Sequence, residues 1–223
     1  MSYIPGYDLS SNDTIDVTKL PAGTGFVILR GIRQNGQEDT TFQQRYHALK
    51  TSRSEIVRMD YLFFNCFKEG APQGLAQLGM DVNYKGVGNG PMWIDLEADS
   101  GSTQEKFIMA NRALYIKRVN DCINVVLADP RYGRPDIGIY SNDSFLRDTV
   151  CHTWPGRLFW LASYQDNIPG NPAQPVTIWQ NAQFGRLDGT YSNTDGNYGS
   201  HDLDKFIGTQ AQLNTLGNVV NQS

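Results

Sequence analysis

Cysteine, histidine and positive charge are all scarce in this chain. Its 223 residues include three cysteines (Cys66, Cys122 and Cys151) and three histidines (His47, His152 and His201). An odd number of cysteines without metal-like spacing argues against both a disulfide framework and a zinc site, and these residues are expected to be small, mostly buried side chains. The histidines have no metal partner at useful spacing, so no metal or other cofactor is expected. Lysine and arginine number 19 against 23 acids, a formal net charge of −4. A nucleic-acid binder normally carries a basic excess, so nucleic acid is not an expected partner. No run approaches the roughly 18 apolar residues of a membrane span. Residues 1–14 have neither the basic flank nor the apolar centre of an export signal. No repeat of solenoid period, low-complexity segment or linker divides the sequence. It is expected to form one domain over residues 1–223, with a core over about 5–208 and a polar tail over 209–223.

Against these absences stand an ordinary hydrophobic content of 39% and a somewhat rich aromatic content of 11%. The most informative stretch is residues 91–99, PMWIDLEAD. Apolar and acidic positions alternate there, as in a half-buried strand. Residues i and i+2 of a strand share a face, so Trp93, Asp95 and Glu97 face one way and Ile94, Leu96 and Ala98 the other. Two carboxylates then stand roughly 6.5–7 Å apart at about 3.3 Å rise per residue. They repel, so at least one should resist ionisation. A neutral acid beside an ionised one is the arrangement glycoside hydrolysis requires. A solvated edge strand would show the same short pattern.

The rest of the chain bears on that choice. Residues 6–10 read as a very short strand carrying Asp8 and Ser10 on one face. Residues 25–31 form an apolar run between glycines, as in a strand buried on both faces of a parallel sheet. Arg30 at its end is either a cleft residue or a solvated terminus. A helix is expected from Asp39 or Thr40, with Phe42, Tyr46 and Leu49 on one face. Residues 56–65 read as a third strand, residues 70–79 as a short helix, and the stretch with Asp95 and Glu97 as the fourth strand. Ser102 and Glu105 then fit a capping box opening one long helix, whose stripe includes Phe107, Ala110, Leu114, Tyr115, Val119, Cys122 and Val126, with Pro130 just past its end. Residues 136–141, 158–164, 176–181 and 201–206 read as strands five to eight. A short helix, capped by Ser141 or Asn142, spans 142–150, and residues 184–200 form a loop or loose hairpin. Helices between the first six strands and few afterwards indicate a closed α/β barrel with a helix-poor C-terminal part. Catalytic residues of such barrels lie at the C-terminal ends of strands. Asp8, Asp60, Glu97, Tyr140, Tyr164, Gln180 and Asp202 all fall near strand ends.

These pieces, in order, resemble glycoside hydrolase family 25, the lysozymes that cleave bacterial peptidoglycan. The likeness covers roughly residues 5–208. It rests on Gly6-Tyr7-Asp8-Leu9-Ser10, Trp93-Ile94-Asp95-Leu96-Glu97, Ile139-Tyr140-Ser141, Phe159-Trp160-Leu161-Ala162-Ser163-Tyr164, Ile178-Trp179-Gln180 and Asp202-Leu203-Asp204-Lys205-Phe206. The resemblance implies a modified TIM-like (β/α)5β3 barrel. It also implies hydrolysis of the β-1,4 bond between N-acetylmuramic acid and N-acetylglucosamine. On it, Glu97 matches the general acid, Asp95 the carboxylate that orients or stabilises the substrate acetamido group, and Asp8 and Asp202 two further cleft acids. Tyr61, Tyr140, Tyr164, Trp179 and Gln180 are candidate sugar contacts. Met59-Asp60-Tyr61 departs from the family pattern, which often has a histidine beside the aromatic. His201 stands where an apolar residue is usual. Asp60 and Asp99 are expected only to position loops or helix starts, and Trp160 either packs the core or floors the cleft.

The resulting expectation is a monomeric muramidase, with bacterial peptidoglycan strands as its partner and neither a membrane nor nucleic acid bound. Glu97 is expected to be kept protonated by Asp95 and by partial burial. The attacking group is either a water activated by a second carboxylate or the substrate's own acetamido oxygen. Without a visible export signal, the protein is expected to reach the wall through lysis, a phage tail or a membrane-permeabilising partner. Two other readings remain: a phage tail or wall-binding structural protein on the same barrel, and a barrel glycosidase acting on chitin.

Overall fold

The computed structural model describes residues 3–83, 90–129, 137–165, 167–185 and 201–217. Eight strands close into a barrel in chain order: β1 (Tyr3–Leu9), β2 (Phe26–Ile32), β3 (Val57–Phe63), β4 (Met92–Asp95), β5 (Ile137–Asn142), β6 (Leu158–Ala162), β7 (Ile178–Gly185) and β8 (His201–Ile207). Strands β1 to β7 run parallel, and β8 is antiparallel to both β7 and β1. Helices α1 (Phe42–Ser52), α2 (Gly70–Asn83), α3 (Thr103–Ala110) and α4 (Arg112–Leu127) fill the β2–β5 connections, and α5 (Gln210–Leu216) follows β8. The β1–β2 link carries only a 3₁₀ turn, Val17–Lys19, and the β5–β6 link a π-helical segment, Phe145–Val150. The expected (β/α)5β3 barrel with a helix-poor end is the observed architecture. No helix among the described residues is long and apolar enough to cross a membrane.

The apolar run of β2 follows from having a core on each side. Phe26 and Ile28 point into the barrel, and Val27 and Leu29 into the layer between strands and helices. The interior is filled by Trp93, Trp160, Tyr61, Tyr140, Met59 and Phe206 among others, as a packed core rather than a pore. Two glycines make room for this filling. A Cβ on Gly6 would lie 2.3 Å from the Phe26 ring, and one on Gly138 2.1 Å from Trp93.

Several expected boundaries move. Strand β4 ends at Asp95, so Glu97 sits on the loop beyond it. Helix α2 runs on to Asn83 rather than stopping at residue 79. The expected long helix breaks at Asn111, whose φ is −132° and whose side-chain amide donates to the Phe107 carbonyl at 2.9 Å. The break re-aims the stripe: Ala110 and Leu114 are exposed, while Ile108, Tyr115, Val119, Cys122 and Val126 are buried. The Ser102 hydroxyl accepts from the Glu105 N–H at 3.1 Å, but the Glu105 carboxylate accepts from Gly101 rather than Ser102, so the box is half made. Asn142 caps the turn after β5, its Oδ1 accepting from the Phe145 N–H at 2.8 Å. The loop expected over 184–200 starts later, since β7 runs on to Gly185; its residues 186–200, Pro130 and the His201 side chain lie outside the described residues.

Candidate active site

In a parallel barrel the interior side chains at the C-terminal ends of strands share one rim. Asp8 near the end of β1 and Asp95 at the end of β4 reach that rim by this rule, with Glu97 just above Asp95. Asp202 reaches it for another reason. It stands near the start of β8, and the reversed direction of that strand sets Asp202 directly opposite Asp8 in register. The same pairing places Asp204 opposite Gly6, one step deeper.

These residues enclose a cavity of about 340 Å³ lined by Asp8, Asp95, Glu97, Asp202, Gln180, Tyr61, Tyr140, Trp160, Arg30 and the loop residues Ser10, Asn12 and Asp13. A larger groove of about 1070 Å³ runs from it over the β4–β6 rim, past Asp99, Asn142, Arg147 and Tyr164. Glu97, Tyr140 and Phe63 line both spaces. The acid pair of residues 91–99 therefore opens onto a continuous cleft.

The wall formed by β1, β7 and β8 is densely hydrogen-bonded. Buried Gln180 is its hub. The amide nitrogen donates to Asp8 Oδ2 at 2.8 Å and to Asp202 Oδ2 at 3.2 Å, while its oxygen accepts from the hydroxyls of Tyr140 at 2.9 Å and Tyr164 at 2.8 Å. Burial pushes the Asp8 carboxyl up to about 7 against the opposing pull of Gln180. Burial and the neighbouring Asp8 charge push Asp202 up to about 10.

The β4 wall differs. Asp95 is buried, and its Oδ1 meets no hydrogen-bond partner among the described residues. Burial first, then the Glu97 charge, lift its carboxyl well above the ordinary range, with Arg30 opposing. Glu97 is half-buried and raised by burial, then by Asp99. Burial lifts Glu97 as expected, but the charge that adds to it is Asp99 rather than Asp95; the Glu97 charge instead adds to the lift of the more deeply buried Asp95.

Arg30 is a cleft residue. It is fixed by Asp39, with Nη2 2.8 Å from the carboxylate, and donates to the Ser11 hydroxyl at 3.0 Å. Arg45 donates to the carbonyls of Ser10 and Asp13, so the loop after β1 is tied down from behind. Tyr61 lies in the pocket, its ring edge-on to Trp160 at 5.9 Å. Trp160 both packs the core and floors the cavity. Tyr164 is 52% exposed on the larger groove. Trp179 is not brought to the cleft. It is 2% exposed, its indole N–H donates to the Ser163 carbonyl at 2.7 Å, and its ring packs outside the barrel between Tyr3 and Lys205. Asp60 also faces away and accepts from Gln77 of α2.

Sequence reasoning missed Asp204, which follows Asp202 at the same two-residue period as Asp95 and Glu97. It also left Asp13 and Asp99 out of the site. No group of three or more potential ligands among the described residues could hold a metal ion.

No protein-family model matches the sequence, and a search of curated proteins finds no match. Solved structures do match. A bacterial lysozyme from Streptomyces coelicolor superposes with a TM-score of 0.76 at 22% identity, covering 98% of each chain. A family 25 lysozyme from Aspergillus fumigatus gives 0.73 at 20% identity, covering 97% of this chain and 99% of its own. A family 25 glycosyl hydrolase from Bacillus anthracis gives 0.74 at 19% identity, covering 96% and 93%. The chain has the fold of these lysozymes over almost its whole length.

Proposed function

We propose that the protein is a glycoside hydrolase of the muramidase type, cleaving the β-1,4 bond between N-acetylmuramic acid and N-acetylglucosamine in bacterial peptidoglycan. The observation that carries this reading is the position of Glu97. It is a half-buried, proton-retaining carboxyl where the acid pocket opens into the long groove, beside a deeper carboxyl. A glycan strand lying in the groove would bring a glycosidic oxygen past this acid. Glu97 then donates its proton to the leaving oxygen.

Asp95 supports one choice of attacking group. Its Oδ1 is buried without a protein partner, and such a group calls for a partner supplied from elsewhere. A substrate acetamido N–H would satisfy it and turn the acetamido oxygen toward the anomeric carbon. That route retains configuration, whereas a water activated by Asp8 or Asp202 would invert it. Tyr61, Tyr140 and Tyr164 offer rings and hydroxyls to the sugars, and Gln180 holds two of those hydroxyls in place. The protein acts as a monomer on extracytoplasmic wall glycan.

The test is digestion of purified peptidoglycan and of chitin oligomers, with mass spectrometry of the new reducing ends. Muramic acid at the reducing end, faster than any chitin cleavage, is the expected result. Preferential chitin cleavage would reject the muramidase reading. Glu97→Gln should lower turnover by about 10²–10⁴-fold, and retention of more than about 1% would remove Glu97 as the acid.

A further inference from the structure

Asp204 has no place in the wall of either cavity, yet it lies one step behind the acid wall, two residues beyond Asp202 on β8. It is 2% exposed. Its Oδ1 accepts the indole N–H of Trp160 at 2.7 Å, and its Oδ2 receives no donor from nitrogen or hydroxyl among the described residues. Asp8 stands opposite Asp202 in register and shares the Gln180 amide with it, and Asp204, opposite Gly6 and one step deeper on the same strand face, brings its carboxyl within hydrogen-bonding reach of Asp8. Three carboxyls thus stand in a row with Asp8 in the middle.

Two carboxyl oxygens hydrogen-bond each other only if one carries a proton. A row with two such contacts therefore needs two protons. The charged groups facing Asp204 are Asp8 from β1 and Asp202 from its own strand, while β7 contributes the neutral Gln180 and β6 the Trp160 indole. No cation faces it among the described residues, since Arg30 is held by Asp39. Asp8 also receives a Gln180 N–H, which makes it the best-supplied acceptor of the three.

We infer that Asp204 is a neutral carboxylic acid and a positioning residue for Asp8: with Asp202 it donates to a central Asp8, so the trio holds two protons and its single negative charge lies on Asp8. The unpaired Oδ2 of Asp204 is the oxygen that carries the proton. Burial also keeps Asp204 well above the ordinary carboxylate range. The role of this charge in catalysis rests on the glycosidase reading. The charge arrangement itself does not.

The sign of one shift tests it. The Asp8 midpoint is read by carboxyl ¹³C NMR of aspartate-labelled protein, without substrate, from pH 4 to 10. If Asp204 is a neutral donor, Asp204→Leu removes a hydrogen bond that favours ionised Asp8, and the midpoint rises by about one unit or more. Asp204→Asn can still donate to Asp8 and accept from Trp160, so it holds the midpoint or raises it less. A fall in either variant would mean that a negative charge had been removed, and would overturn the proposal, as would an unchanged midpoint in Asp204→Leu. Should the leucine variant fail to fold, the sign in the asparagine variant decides. A rise in midpoint in a protein that does not turn over peptidoglycan would uphold this inference while rejecting the function proposed above.

Discussion

Two walls of one pocket handle their acids in opposite ways. On the β1–β7–β8 wall every carboxyl accepts at least one hydrogen bond: Asp8 and Asp202 share the Gln180 amide, and Asp204 accepts from Trp160 on one oxygen while its other stays unpartnered among the described residues. On the β4 wall Asp95 leaves an oxygen unpartnered, and Glu97 stands at the edge of the groove. Both walls raise their acids by burial. The difference lies in freedom. A hydrogen-bonded carboxyl is fixed in orientation and shares its protons with neighbours, so it suits holding charge in place. A bare carboxyl can meet a substrate atom, so it suits proton donation and contact. Burial alone does not distinguish a working acid from a supporting one; the bonds around it do.

The largest effect that would break this contrast is on turnover. Asp95→Asn, on the bare wall, should lower peptidoglycan turnover about 10²-fold or more while leaving the unfolding midpoint little changed, since no protein bond is lost. If the enzyme is instead destabilised with turnover intact, the two walls are not different in kind. Gln180→Leu should do the reverse in part. It strips a donor from two buried carboxyls and an acceptor from the Tyr140 hydroxyl. At about 1–3 kcal/mol per stranded buried group, urea denaturation should show a loss of several kcal/mol.

Opposite pH signs sharpen the contrast further. Asp8 is raised to about 7, so protonated Asp8 favours the fold at low pH, and that stabilisation is lost as pH rises from about 4 through 7. Asp39 differs. Burial pushes it up, but the N–H groups of Thr41 and Ser11, the Thr41 hydroxyl and Arg30 more than offset this and hold it at about 2. Its contribution is present above the unfolded value near 3.8 and is lost as pH falls through 2. Melting temperature should therefore fall on both sides of a mildly acidic maximum. In Asp39→Asn the acid-side decline should flatten, and in Asp8→Asn the decline toward pH 7 should. Turnover should also decline as pH rises through the lifted midpoint of Glu97, because the donor must be protonated. The smallest expected effect is at Trp179→Phe, which should cost about 1 kcal/mol for the lost bond to Ser163 and leave turnover within about twofold. A large loss of turnover would return Trp179 to the cleft.

Much of this was legible along the chain. The period-2 alternation around Asp95 and Glu97 announced a neighbouring acid pair, although β4 is buried on both faces and ends at Asp95, and the apolar run of β2 announced a strand with a core on each side. Trp179 and Gln180 could not both face the cleft, because adjacent strand residues point to opposite faces. Nothing local said which one did, and the phase was set by the pairing of β7 with β8, where Gln180 stands opposite Asp204. The break at Asn111 was equally hidden. The residues on either side have a continuous helical pattern, and the chain turns there so that Ile108 and Tyr115 can both reach the core.

The sequence by itself determined the elements, their alternation and the acids available, because side-chain period and burial are local consequences of residue order. Only the tertiary structure decided where those acids act. The reversed direction of β8 brings Asp202, near the beginning of its strand, to the rim where the other strands end. Depth in the closed barrel buries Asp95 and leaves Glu97 at the groove, and burial is the first cause that lifts each carboxyl. Desolvation and hydrogen bonding depend on what surrounds a group in space, and neighbours supplied from strands almost two hundred residues apart are not written into any one stretch.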